Sequence, residues 1–233
     1  MKYLLLLTIG GLLTRAAAFC QPPSDLTIVS CFYQGRANNC ASVALIKAAM
    51  LKYGYKNMFQ TTLVGQNYHV TLKDGTALTI LADDLDHAKV QGKFAIKTIT
   101  ELGSAEDSVL FYAYLAYAAI ATYISVNGYW GAVEAGSPHL TGYSSFKSAL
   151  RFISRKSYAT DYCYRLLGMS VKDPSVPDFR DPAVIAGETG VILYSPDHAV
   201  VAYKGQLDCH GNWVAVSTDE VCGNTFKWYL ILK

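Results

Sequence analysis

Apolar residues recur at helical spacing after position 40, with Val43, Leu45, Ile46, Met50 and Leu51 among them, and Gly54 closes the run. The pattern predicts a helix over residues 41–52. From Tyr68 the period changes to two, and Lys73-Asp74-Gly75 separates this run from a second one at 77–81. That is a hairpin signal. A short helix is predicted over 83–90. A long uncharged helix is predicted over 109–126, stopped by Asn127-Gly128. Segments 144–154 and 161–167 also read as helical, the second ending at Gly168. Residues 173–182 hold three prolines and read as a loop. The runs 191–194, 198–203, 213–217 and 226–232 read as strands. Helices come first and strands last. This order suits an α+β fold, with a helical lobe packed on an antiparallel β lobe. No internal repeat or low-complexity tract interrupts it.

Three residues change this from a fold problem to a chemical one. Cys40 stands at the start of the first predicted helix, Gln34 lies six residues before it, and His198 opens a strand. A thiol nucleophile needs a site that favours thiolate, a base, and donors for an oxyanion. The orphan N–H groups and positive dipole end of a helix supply the first. A distant histidine can supply the second and a nearby glutamine amide the third. Each residue also has a plainer role: a lone Cys is commonly a small buried hydrophobe, and a histidine before a strand is often structural. Gly35 is read as a turn residue needing positive φ. Asp197 is read as a turn residue, and His69, His87, His139 and His210 as ordinary polar residues.

The run Gln34-Gly35-Arg36-Ala37-Asn38-Asn39-Cys40 resembles the motif of papain-like cysteine peptidases, in which a glutamine precedes the nucleophile by six residues. The calpain branch is the nearer likeness. Asn38-Asn39 stands where calpains have Gly-Asp, and Ala41 replaces the usual aromatic residue. The resemblance extends over about residues 30–233 through the order of nucleophile helix, intervening helix, Arg165-Leu166-Leu167-Gly168 and histidine strand. It implies a papain-like fold, Cys40 as nucleophile, His198 as base and Gln34 as oxyanion donor, with a protein or peptide substrate. The family's third residue is an Asn or Asp after the strand that follows the histidine strand. That strand, read as 213–217, ends at Thr218-Asp219. Hairpin geometry puts the start of one strand beside the end of the next. Asp219 is therefore the expected orienting group, with Asn224 and Asn212 as alternatives. No EF-hand loop is present, so calcium dependence is not carried over and no cofactor is expected. The same apparatus could serve a deamidase or a transglutaminase-type acyl transferase. A non-catalytic papain-like module that binds a partner is a further alternative.

Composition narrows the classes. The chain has 233 residues, 52% hydrophobic and 16% charged, with net charge +2. It lacks a basic run, a zinc-type cysteine pair and a Walker loop, so no nucleic-acid partner or metal site is expected. The uncharged run 109–126 is long enough to span a membrane. Its four Tyr and five Ala, and the separation of Cys40 from His198 that a span would impose, favour a core helix. Lys2, the apolar run 3–13 and Ala16-Ala17-Ala18 read as a signal peptide over residues 1–18, leaving a peptidase domain at 19–233. This implies a secreted or periplasmic protein. Phe19 before Cys20 disfavours a lipid anchor there. An exported chain can carry disulfides. Cys209 and Cys222 could bridge only if the chain folds back after the intervening strand.

Overall fold

The computed structural model describes residues 25, 30–97, 104–133, 137–141, 143–155, 160–172, 183–216 and 222–233. The signal-peptide, Cys20, proline-loop and Asp219 readings fall outside these residues. The fold is α+β, as expected from the sequence, with every strand pair antiparallel.

Helix α1 (Cys40–Tyr53) lies at the centre. Its residues from Cys40 to Leu51 are all buried, including the polar Ser42 and Lys47. A helix apolar around its whole circumference belongs inside a core. The five-stranded sheet packs on one side of it, through β8 (Val191–Tyr194) and β9 (Ala199–Tyr203). Helix α3 (Ser104–Asn127) and a 3-10 helix (Thr160–Leu167) pack elsewhere on it. Leu45, Ile46 and Met50 are fully buried there, each worth about 1.5–3 kcal/mol relative to exposure. Gly54 ends the helix at φ +82°, and its N–H donates to Met50 O.

Before α1 comes β1 (Phe32–Tyr33), which pairs with β5 (Ala95–Ile96). After it, β2 (Gln60–Val64), β3 (Asn67–Thr71) and β4 (Ala77–Ile80) form a three-stranded sheet. Helix α2 (Ala82–Gly92) follows. The hairpin of β3 and β4 is the expected one, whereas β2 was not predicted: its outward Leu63 and Val64 are exposed and spoil the alternation. Helix α3 is long and apolar enough to cross a membrane, yet 61% of its most apolar stretch is buried within the protein. Its Tyr117 hydroxyl donates to Ser154 Oγ at 2.8 Å, and burial pushes that phenol up to about 12. A hairpin of β6 (Tyr129–Val133) and β7 (Ser137–Thr141) leads to α4 (Phe146–Arg155). The segment expected to be helical at 161–167 is the 3-10 helix. It closes with the Gly168 N–H donating to Arg165 O at 2.9 Å, where Gly168 is pressed against Asp74.

A short helix, α5 (Ala183–Ala186), precedes the main sheet. Its order is β11-β10-β9-β8-β12, with β10 at Gln206–Cys209, β11 at Asn212–Ala215 and β12 at Trp228–Ile231. Ala199, Val201 and Tyr203 of β9 join the core around α1, while Val200 and Ala202 face a second cluster with Leu207 and Phe226. The strand β10 corrects the sequence reading. Lys204-Gly205 and His210-Gly211 are two-residue connections with φ positive at both positions (+49° and +74°; +51° and +82°). That is the backbone of type I′ hairpins, whose twist matches the flanking strands. The chain turns twice between positions 203 and 212, so the strand following β9 is β10. The strand read as 213–217 pairs with β10 instead of β9. Cys209 and Cys222 are bridged, so the chain does fold back. Closing a loop of this length stabilises by roughly 3 kcal/mol.

Candidate active site

Cys40 is the first residue of α1, and Asn39 before it has non-helical backbone (φ −121°, ψ 27°). The Asn39 side chain does not cap the helix. Its Nδ2 instead donates to Gly92 O at 2.8 Å. The loop is tied down on its other side by the Asn38 N–H donating to Ser154 O at 3.2 Å. Cys40 is 4% exposed. It lines a narrow cleft with Tyr33, Gln34, Val43, Lys47, His198 and His210. The free space inside is ≈ 20 Å³, room for about one water. Cys40, Val43, Ala44 and Lys47 share this wall because helical positions three, four and seven apart fall on one face.

The structure thus brings three of the expected site residues, Gln34, Cys40 and His198, to one cleft. Gln34 Nε2 donates to Ala37 O at 2.9 Å. The amide keeps a second N–H, and its Oε1 is buried without a partner. Gly35 does not have the positive φ expected of it. It serves a close approach instead: a Cβ there would lie 1.9 Å from the backbone oxygen of Lys93. Gly35→Ala must push two backbone segments apart. It is expected to cost about 1–3 kcal/mol, as overpacking does, and to displace Gln34. Urea denaturation checks the first effect, and the shift of the Gln34 side-chain amide resonances checks the second.

His198 sits just ahead of β9 in a turn. The Ser195 N–H donates to His198 O at 2.8 Å, and the His198 N–H donates to Ser195 Oγ at 3.2 Å. Asp197 is exposed in that turn, as read. The His198 ring packs on His210 (centroids 5.8 Å apart, planes 27° apart) and on Phe226 (6.2 Å). Burial, and second the charge of His210, hold His198 below the ordinary histidine value.

Asp219 lies outside the described residues. The hairpin premise behind it points elsewhere, since β10 is the strand after β9. Continuing the register Leu207↔Ala202 puts His210 opposite Ala199, beside His198. Of the other two alternatives, Asn212 is exposed at the start of β11. Asn224 Nδ2 donates to Cys222 O at 3.0 Å. His210 was read as an ordinary polar residue, and the structure places it in the cleft. The signal that could have found it is the His-Gly dipeptide two residues after Asp208, a hairpin turn aimed at the head of β9.

Beneath the cleft lies a group that the sequence reading missed. Lys47 is fully buried and pairs with Asp208 of β10, itself 7% exposed. The ammonium also lies 4.9 Å from the Phe32 ring centroid. Burial pulls Lys47 below the usual lysine range, and Asp208 opposes that pull. The other carboxylate oxygen, Asp208 Oδ1, accepts the Gly211 N–H at 2.8 Å. One charge pair therefore connects α1 to the turn that carries His210. Among the described residues no group of His, Cys, Asp and Glu side chains is arranged to hold a metal. Comparison with protein families, curated proteins and solved structures returns no match.

Proposed function

We propose that the chain is a papain-like cysteine peptidase that hydrolyses peptide or amide bonds with Cys40 as nucleophile and His198 as base. The observation that carries this reading is the meeting of Cys40, at a helix start, with His198 and Gln34 in one narrow cleft. Cys40 and His198 stand 158 positions apart in the chain, and the packing of β9 on α1 brings both to one slot.

Burial holds the His198 ring toward its neutral form, so in this reading the ring is a general base at rest. It takes the Cys40 proton as the sulfur attacks the carbonyl carbon. The S–C bond forms, and the oxyanion receives the Cys40 N–H and the second Gln34 N–H. His198 then gives its proton to the leaving amine as the C–N bond breaks. Water, deprotonated by His198, hydrolyses the thioester and restores the thiol. An oxyanion donor of this kind contributes about 2.7–4 kcal/mol. Export fits the same reading, because the Cys209–Cys222 bridge suits an oxidising compartment.

The test is product analysis together with active-site labelling. A thiol-directed epoxide should label Cys40 stoichiometrically, and a denatured protein substrate should acquire new N-termini. Labelling with no new termini, but with Gln converted to Glu or cross-linked, would assign an acyl transferase instead. Absence of labelling would leave a binding module. The sign of the pH dependence follows from the base. Neutral His198 is the active form and its proton affinity is lowered, so kcat/KM should rise through an acid limb centred below 6.5, the ordinary histidine value.

A further inference from the structure

We propose that His210 is a positioning residue for His198, its ring packed against the imidazole so that the base stays aimed into the Cys40 cleft. This rests on the peptidase reading of Cys40 and His198. The ring separation of 5.8 Å and tilt of 27° fall in the offset-stacking range. Phe226 at 6.2 Å supplies a second contact, so the imidazole is held by two rings.

The position of His210 is itself built. Its backbone is left-handed, at φ +51° in the turn joining β10 to β11. The next residue is fixed from both sides: the Gly211 N–H donates to Asp208 Oδ1 at 2.8 Å, and Gly211 O accepts Lys97 Nζ at 3.2 Å. A Cβ on Gly211 would stand 2.9 Å from the Tyr33 ring, so the turn is seated against β1. The preceding residue, Cys209, is bridged to Cys222. A turn anchored by an ion-paired carboxylate, a lysine, a strand and a disulfide is far more constrained than a surface hairpin requires. What it presents to the cleft is one imidazole.

The charged and titratable groups that surround His210 are His198 before β9, Asp208 on β10, Lys97 after β5, Tyr33 on β1, and Cys40 and Lys47 on α1. Burial, and second the charge of the neighbouring His210, hold the proton affinity of His198 below the ordinary histidine value. The stack would therefore do two things: fix the ring's orientation, and keep it basic-form down to lower pH.

Two variants separate these effects. His210→Asn removes the ring while tolerating left-handed backbone. His210→Phe keeps a ring and removes the charge. Each is assayed for kcat and KM on a fluorogenic peptide, for Cys40 alkylation by iodoacetamide against pH, for the NMR titration of the His198 ring, and for thermal unfolding. His210→Asn should lower kcat and the alkylation rate on the order of 10-fold, with KM within about two-fold, because a loosened base loses alignment. His210→Phe should hold kcat within about three-fold and move both the His198 titration and the acid limb to higher pH. Unchanged kcat in His210→Asn with an unmoved His198 titration in His210→Phe would overturn the proposal. So would losses that merely track the melting temperature. Should wild-type Cys40 fail to react while His198 still titrates in response to His210, the histidine pair stands and the peptidase reading falls.

Discussion

Replacing Cys40 by alanine is expected to reduce turnover by on the order of 10⁴-fold or more while the protein still folds. Cys40 lies in a cleft wall and is 4% exposed. Removal of the sulfur takes away one atom of a buried residue, a loss of roughly 1 kcal/mol by the scale for a buried methylene. The melting temperature should therefore drop by a few degrees at most. The chemical loss is of another size, because no other described side chain in the cleft is a thiol: its lining contains Tyr33, Lys47, Asp208 and two histidines. His198→Ala should be nearly as damaging, and the double variant little worse than either single one, since in the proposed mechanism the two act as a unit. Cys163→Ala is the matched control. That thiol is fully buried in the 3-10 helix, burial pushes its proton affinity up, and it lies outside the cleft. Turnover by Cys163→Ala should equal wild type. If Cys40→Ala still hydrolyses peptide under conditions where active-site titration excludes contamination, Cys40 is not the nucleophile.

How much of this was legible in the sequence differs by element, and the differences are physical. Helix α1 was readable because its apolar residues and terminal glycine are local signals. Its start was read at Ala41, one residue after the observed start at Cys40. The long helix was also readable, as an uncharged run whose tyrosines and alanines favoured a core position. In the structure it packs on α1, α2 and α4. Strand β10 was lost because Asp208 interrupts its apolar pattern. That charge is tolerable in a buried strand only because Lys47, 161 positions away, neutralises it. Missing β10 shifted every later pairing by one strand, so the hairpin premise behind Asp219 does not hold, and the register of β10 on β9 continues to His210 opposite Ala199. The hairpin rule was sound, but the strand count was not. Gly35 illustrates the same limit on a smaller scale. Its need for a bare Cα comes from Lys93 O across a loop, a neighbour that no local motif announces.

Lys47 and Asp208 should show the largest stability effects in the protein. Asp208→Ala leaves a fully buried ammonium without its carboxylate, and Lys47→Ala leaves a carboxylate that is 7% exposed without its cation. Breaking a buried pair by removing one member typically costs 3–5 kcal/mol, since an uncompensated charge remains in a low-dielectric site. That is a large share of the ~5–15 kcal/mol that holds a domain folded. Either single variant should then be strongly destabilised in urea. Replacing both together, as Lys47→Met with Asp208→Leu, removes both desolvation penalties and fills similar volume. Its stability should return to within about 1–2 kcal/mol of wild type or exceed it. Activity should not return with it. Asp208 Oδ1 also holds the Gly211 N–H, and leucine cannot accept that bond. The turn bearing His210 loses its anchor even in a well-folded protein. Denaturation midpoints and kcat, measured on the two single variants and the double, separate these outcomes. Full recovery of both stability and kcat in the double variant would show that the ion pair is a packing element alone. Recovery of stability without kcat would place the buried charges in the alignment of the Cys40 cleft.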